Sequence, residues 1–568
     1  MHIDIVPNRG SRPAYLLRES FRDGTRVRKR TLANLSSLSD EQILAIRAVL
    51  RGEAVQPPEE VFEVIASRAH GHVQAVLLAM QRLGVAGLLA SRPCRERDLV
   101  CAMIAARVLA PHTKLATTRW WHTTTLAQEL GVVDADEDDL YEAMDWLLER
   151  QGAIEKKLAA RHLHEGGLVL YDLSSSYFEG TRCPLARIGH NRDGKKNKLQ
   201  VNYGLLTDER GCPVAVSVFE GNTADSTTLL PQAQRLRTEF GIDTMVMVGD
   251  RGMISQSSIE ALRETQTLGW ITALKSAQIR ALLEDATVQL GLFDERNLFE
   301  VTHPQFPGER LIACRNAQLA EFRAHKRQAL LQATAAELDK VCSMVAHKRL
   351  RGADRIGVRV GRVVNKYKVA KHFELDIEDE RCSFRIREDQ VAAEALLDGL
   401  YILRTPVAQD KMDSAQVVRS YKSLAQVERA FRSLKTIDLK IRPIHHRLAD
   451  RVRAHIFVCM LAYYVQWHMQ ETWRTLLFAD EDQDAKQRRD PVAPAKRSAQ
   501  AELKASTHTL ADGSPAHSLR TLLEALSTIV RNTCQAPNSA RHTPTFSIVT
   551  RPNPVQQRAL ELLNSIHV

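Results

Sequence analysis

The chain has 568 residues, too many for one hydrophobic core, so two to four domains are expected. Lys and Arg total 78 against 68 Asp and Glu, giving a net charge of +10 and an isoelectric point near 9.1. That balance favours a polyanionic partner without singling out DNA. The nine Cys are scattered with no CxxC pair, which argues against a zinc ribbon and against a disulfide framework. The N-terminus lacks the apolar core of a signal peptide, and the longest dense apolar run, Ile456 to Val465, is too short to span a bilayer. The expectation is a cytoplasmic chain with no membrane segment.

Tyr15 to Phe21 and Arg26 to Leu32 flank a DGT turn and predict a hairpin within a basic region, 1–50. Its Arg-rich second arm suits either a DNA-backbone contact or a solvated edge strand. Residues 51–165 are expected to be largely helical and to bind DNA ends. Within them Arg95 to Leu109 is amphipathic, and Thr125 to Val132 resembles the opening of a helix-turn-helix, a pattern far more common in a purely structural helical hairpin. Trp120 and Trp121 are candidates for stacking on bases or for burial.

From residue 166 the pattern changes to a mixed α/β domain, 166–275 plus 398–470. Leu168 to Leu173 reads as an apolar strand. Leu199 to Leu206 and Pro213 to Phe219 form a hairpin, and Asp225 to Phe240 a helix. Thr244 to Val248, Ser255 to Thr267 and Trp270 to Leu274 continue as strand, helix, strand. An insertion, 276–397, carries a long helix near Ala317 to Lys348 and strands at Phe373 to Ile377 and Ser383 to Arg387. Leu400 to Arg404 returns to the sheet. Residues 471–568 are helical pieces between polar linkers.

YKSLAQVERAFRSLK, Tyr421 to Lys435, has no Gly or Pro and is predicted to be one helix. Tyr421, Glu428 and Lys435 are seven residues apart and would share a face. Upstream, Asp172 and Asp250 each close an apolar strand-like run. Two Asp on neighbouring strands and a Glu from a helix offer the hard oxygen ligands that Mg²⁺ prefers, and two such ions activate both oxygens of a phosphoryl transfer. Each acid taken singly is as consistent with a turn, a cap or a surface ion pair.

YDLSSSYFEG, LQVNYGLLTDERGCPVAVSVFEGNTADSTTL, MVMVGDRGMIS and the Tyr421 segment resemble, in that order, the bacterial insertion-sequence DDE transposases. More narrowly, they are similar to the branch with a Y-x2-R-x3-E-x6-K box. The resemblance implies an RNase H-like catalytic domain, with Asp172, Asp250 and Glu428 as catalytic metal ligands for Mg²⁺, Mn²⁺ substituting. It implies that Tyr421 and Lys435 meet DNA phosphates, and that double-stranded DNA (terminal inverted repeats and target) is bound by a homodimer. The box Arg is replaced by Leu424, so Arg432 or Arg429 is the candidate substitute; Arg251, next to Asp250, is a further candidate DNA contact. Ser174 to Ser176 lack the His–Asp partners a nucleophile needs. An RNase H-like nuclease without strand transfer, and a non-catalytic transposase-derived DNA-binding protein, are the alternatives.

Overall fold

A computed structural model describes residues 1–52, 62–195, 197–264, 268–293, 296–536 and 545–567. The chain divides into two units, Met1–His70 with Thr528–Arg551, and Gly71–Ser527 with Pro552–Val568.

In the first unit β1 (His2–Asn8), β2 (Ser11–Asp23) and β3 (Arg26–Asn34) form an antiparallel sheet. The DGT hairpin is present: Asp23 opposes Arg26 across Gly24-Thr25. The sequence reading missed β1, whose Ile3 is buried. β3 is exposed along its whole length, and Arg28, Lys29 and Arg30 pair with Asp23, Asp4 and Glu19. Residues 53–61, assigned above to the helical region, lie outside the described residues, and β4 (Glu63–Ala69) follows them as a strand. Its alternating Val64, Ala66, Arg68 pair with Val530–Gln535, which in turn pairs with Phe546–Val549. A C-terminal stretch therefore completes the N-terminal unit, a long-range pairing that no local pattern announces.

In the second unit the expected helix Arg95–Leu109 forms. The Thr125 to Val132 stretch holds only a four-residue helix, Leu126–Glu129, before the capped helix Glu137–Leu148. Trp121 and Trp270 are buried, so packing explains both. Among the described residues no single helix is long and apolar enough to cross a membrane. The apolar run Ile456 to Val465 is the buried middle of the helix Ala449–Thr472, which packs on the strand Pro213–Glu220 and on Arg95–Leu109 and Glu137–Leu148.

The catalytic-domain strands are β5 (Leu168–Tyr177), β6 (Gln200–Asp208), β7 (Pro213–Glu220), β8 (Met245–Val248) and β9 (Leu268–Ala273). β5, β6 and β7 are antiparallel neighbours, while β8 pairs parallel to β5 and β9 parallel to β8. The order β7-β6-β5-β8-β9 is the expected RNase H-like sheet flanked by helices. Of the predicted helix ending at Thr267, Gln256–Glu264 is helical, and 265–267 lie outside the described residues.

Beyond β9 the sheet continues through strands the sequence reading assigned to the insertion. β10 (Leu298–Val301) and β11 (Arg310–Arg315) join it. The chain leaves the sheet at the helix Ala317–Ala346 and the hairpin β12 (Phe373–Ile377) and β13 (Cys382–Ile386), then returns as β14 (Leu400–Thr405) between β11 and β9. The physical reason is a shared core. Leu311 and Ala313 of β11 are buried with Leu400 and Ile402 of β14 and with Leu274 and Ile279.

One glycine fixes the approach of the helix Leu424–Arg432. Gly211, in the β6–β7 turn at φ +87°, would place a Cβ 2.6 Å from the Gln426 Cβ. Gly211→Ala is expected to cost about 2 kcal/mol through backbone strain and overpacking. Denaturant unfolding checks this, and an unchanged midpoint would contradict the contact.

Candidate active site

Parallel pairing sets the first two acids side by side. Leu170 lies opposite Val248 in the β5–β8 register. Asp172 lies mid-strand in β5 and Asp250 two residues past the end of β8, so continuing this register brings the two acids level on adjacent chain segments. Asp172 is half-buried and Asp250 exposed just after its strand. The backbone turns there, with the Met253 and Ile254 N–H groups donating to the Asp250 carbonyl at 2.9 and 3.1 Å.

The third acid arrives on a broken helix. The predicted single helix from Tyr421 to Lys435 is three pieces: Ser414–Lys422, Leu424–Arg432 and a π-helical turn, Ser433–Ile437. Serines mark both joints. The Ser423 hydroxyl donates to the Ser420 carbonyl at 2.6 Å, the local competition that weakens helices at Ser. Ser433 donates to Asp438 at 2.5 Å, and Gln466 donates to both. Leu424–Arg432 packs on β5; its Val427, Ala430 and Phe431 are buried, and the Phe431 ring meets Tyr203 of β6 edge-on at 5.8 Å. The opposite face leaves Glu428, Arg429 and Arg432 exposed, and Leu424 half-buried.

Electrostatics joins the three acids. Burial pushes the Asp172 carboxyl from 3.8 up to about 7; a hydrogen bond from its own strand and the Arg192 charge oppose the rise, and the charges of Asp250 and Glu428 add to it. Tyr421 donates its hydroxyl to Asp250 Oδ1 at 3.3 Å. Burial, then the Asp250 charge, raises the phenol, so it stays a donor; Arg251 lowers it and Glu428 raises it further. Arg251 is itself exposed.

Lys435 lies elsewhere. It is buried in the π-helical turn, with Nζ 3.2 Å from Asp193 Oδ1, so its charge is engaged internally rather than open to a phosphate. Asp193 also accepts from the Tyr177 N–H at 2.9 Å and pairs with Arg442. The shared face inferred for Tyr421, Glu428 and Lys435 thus holds for the first two only, because the helix changes pitch at Ser433.

Arg192 does not stand out in the sequence, because turns are commonly charged. It lies in the basic turn Arg192 to Lys198, of which Lys196 is outside the described residues. One guanidinium nitrogen makes two bonds to Asp225, at 2.5 and 2.6 Å, while buried Nη1 has no hydrogen-bond partner among the described residues. The signal available was a lone Asp193 inside a basic run, which anchors the turn and so fixes Arg192 beside Asp172.

Comparison with known proteins bears on this arrangement. Residues 175–465 match the transposase DDE domain family, and residues 3–60 match the IS1634 family transposase N-terminal domain. The DDE match takes in Asp250 and Glu428 and begins three residues after Asp172. Curated proteins give no match. Among solved structures the chain is similar to one described as a cryo-EM structure of piggyBac transposase synaptic complex with hairpin DNA, with 8% identity, a TM-score of 0.33, and coverage of 80% of this chain and 77% of that one. With the DDE domain over just more than half of its length and an insertion-sequence N-terminal domain ahead of it, the chain belongs to the DDE transposases.

Proposed function

We propose that Asp172, Asp250 and Glu428 are the acidic triad with which this transposase cleaves DNA and transfers the cut strand. The observation that supports the reading is the β5–β8 register, which, continued two residues beyond Leu170 and Val248, brings Asp172 level with Asp250; the Asp172 carboxyl, raised first by burial, is raised further by Asp250 and Glu428. DDE transposases use divalent metal ions, and this donor set fits them. It is all carboxylate oxygen, and its mutual repulsion, felt at Asp172, is relieved by a cation. Mg²⁺, with Mn²⁺ as substitute, is the ion these hard ligands favour. When bound, such ions stabilise the attacking and leaving oxygens of phosphoryl transfer.

The chain's own groups then divide the remaining work. Tyr421 holds Asp250 in place as a neutral donor. Arg192, paired with Asp225, places a positive charge that opposes the rise at Asp172 and balances the acids. Lys435 and Arg442 pin Asp193 and so the turn that carries Arg192. Arg432 or Arg429, exposed on the helix of Glu428, replaces the box Arg that Leu424 cannot supply, and Arg251 meets the substrate backbone. The DNA partner is the element's own terminal inverted repeats and then target DNA, bound by a homodimer in the cytoplasm.

Asp172→Asn, Asp250→Asn and Glu428→Gln should each lower cleavage and strand transfer in Mg²⁺ by several orders of magnitude, with DNA binding retained. Gel assays on pre-cut and intact ends read this directly, and substantial cleavage by any of the three would refute the triad. Arg432→Ala should reduce strand transfer at least tenfold; normal transfer would move the role to Arg429.

The raised Asp172 also predicts a pH dependence. Between about pH 4 and 7 the folded state holds a proton that the unfolded state has released, so this group's stabilising contribution is lost as pH rises through that window. In metal-free protein, the stability gained by Asp172→Asn should be larger at pH 7.5 than at pH 4.5, as measured by denaturant midpoints. An equal difference at both would contradict the buried, proton-holding carboxyl.

A further inference from the structure

Between β11 and β14 the chain leaves the sheet as a helical arm. Asn316 caps the helix Ala317–Ala346, its Oδ1 accepting from the Leu319 N–H at 2.8 Å. The root is tied to the sheet by the Asn316 N–H on the Gly399 carbonyl, at 2.9 Å, and by the Arg327–Asp398 ion pair. The helix has 30 residues and therefore runs about 45 Å. Its far half shares a small core with a second helix, Ala353–Tyr367. Leu338, Val341 and Val345 of one pack with Ile356, Val360 and Val364 of the other.

The outer face of Ala353–Tyr367 is one-signed. Arg355, Arg359, Arg362 and Lys366 follow each other at four, three and four residues, so they form a single stripe, and all are exposed. Asp354, at the first turn, is the only acid in the helix. Arg355, Arg359 and Arg362 make no ion pair among the described residues. Lys366 Nζ lies 4.8 Å over the Tyr367 ring. Glu337, on the facing helix, pairs with Lys340 at 2.8 Å and feels Lys366 and Arg359 only at longer range.

A face kept merely soluble alternates its charges, because like charges at this spacing cost about 0.2–0.5 kcal/mol per pair. A second feature points the same way. Val358, Gly361, Arg362, Asn365, Lys366 and Lys368 line a shallow depression on this face. Gly in a helix interior costs about 1 kcal/mol relative to Ala, yet a Cβ on Gly361 would meet nothing within 4 Å. Internal packing therefore requires a glycine neither there nor at Gly357, and both leave the helix surface low enough for close approach of a partner.

We infer that this face is a second, sequence-independent docking surface for duplex DNA. Arg355, Arg359, Arg362 and Lys366 contact successive phosphates, and bare Gly361 admits the DNA backbone. The stripe is about 16 Å long, nearly five base-pair steps at about 3.4 Å each. The arm holds it away from the sheet, so it engages DNA distant from the reacting phosphate. The inference rests on duplex DNA being the substrate, as proposed above.

The test is binding of the full chain to a random-sequence duplex of roughly 60 base pairs, titrated across salt. Each phosphate contact adds about 0.9 to the slope of log K against log salt. A variant with Arg355→Gln, Arg359→Gln, Arg362→Gln and Lys366→Gln should lose about 3 to 4 from that slope. A variant with Lys at the three Arg positions should keep it, which separates charge from fold. Gly361→Leu should weaken binding several-fold at an unchanged slope. An unchanged slope in the Gln variant would overturn the surface while leaving the triad untouched. Conversely, cleavage by Asp172→Asn would refute the triad and leave this slope as it stands.

Discussion

The parallel pairing of β5 with β8 is the constraint on which the molecule's chemistry depends. Antiparallel neighbours would place the ends of the two strands at opposite edges of the sheet. Parallel ones run the same way, so Asp172 in the middle of β5 and Asp250 just past the end of the shorter β8 come to the same level. A slip of one residue in the register would send one Asp side chain to the opposite face. The register is held by burial on both sides: Val169, Leu170, Met247 and Val248 are all fully buried. The apolar core thus fixes the geometry of a charged site that it does not itself contain.

The helix Leu424–Arg432 depends on the same sheet. Its apolar residues bury against β5 and β6, which leaves Glu428, Arg429 and Arg432 facing outward. The π-helical turn at Ser433 follows because Gln466, inside the long helix Ala449–Thr472, donates to Ser433 and Asp438 together. That network turns Lys435 inward to Asp193. The same bend that ends the exposed helix therefore orders the turn bearing Arg192. The burial and neighbouring acids that raise Asp172 are the electrostatic load that a bound cation would relieve.

Much of this was legible in the sequence, for reasons that can be named. The apolar runs leading into Asp172 and Asp250 form strands as expected, although β5 continues beyond Asp172 to Tyr177. The β6–β7 hairpin has its turn residues, and the DGT turn fixes β2 against β3. The long-range pairings were not legible. Glu63–Ala69 looks like part of a helical region until Val530–Gln535 lies beside it. β10 and β11 look like an insertion until their apolar residues share a core with β14. The break at Ser423 and the π-helical turn at Ser433 depend on side chains distant in sequence or on a single serine, and helical propensity alone does not see them. Charge was the least informative signal. The basic run on β3 is largely ion-paired within its own sheet, whereas the stripe on Ala353–Tyr367 is not.

The central claim is that three acids from distant parts of the chain share one divalent-cation site. Replacing Mg²⁺ with Fe²⁺ and generating hydroxyl radicals at the bound ion cuts the polypeptide close to that ion. The account predicts cleavage at three segments together, near residues 172, 250 and 428, all lost in Asp172→Asn. Cuts near only one of them, or cuts that persist in that variant, would contradict it.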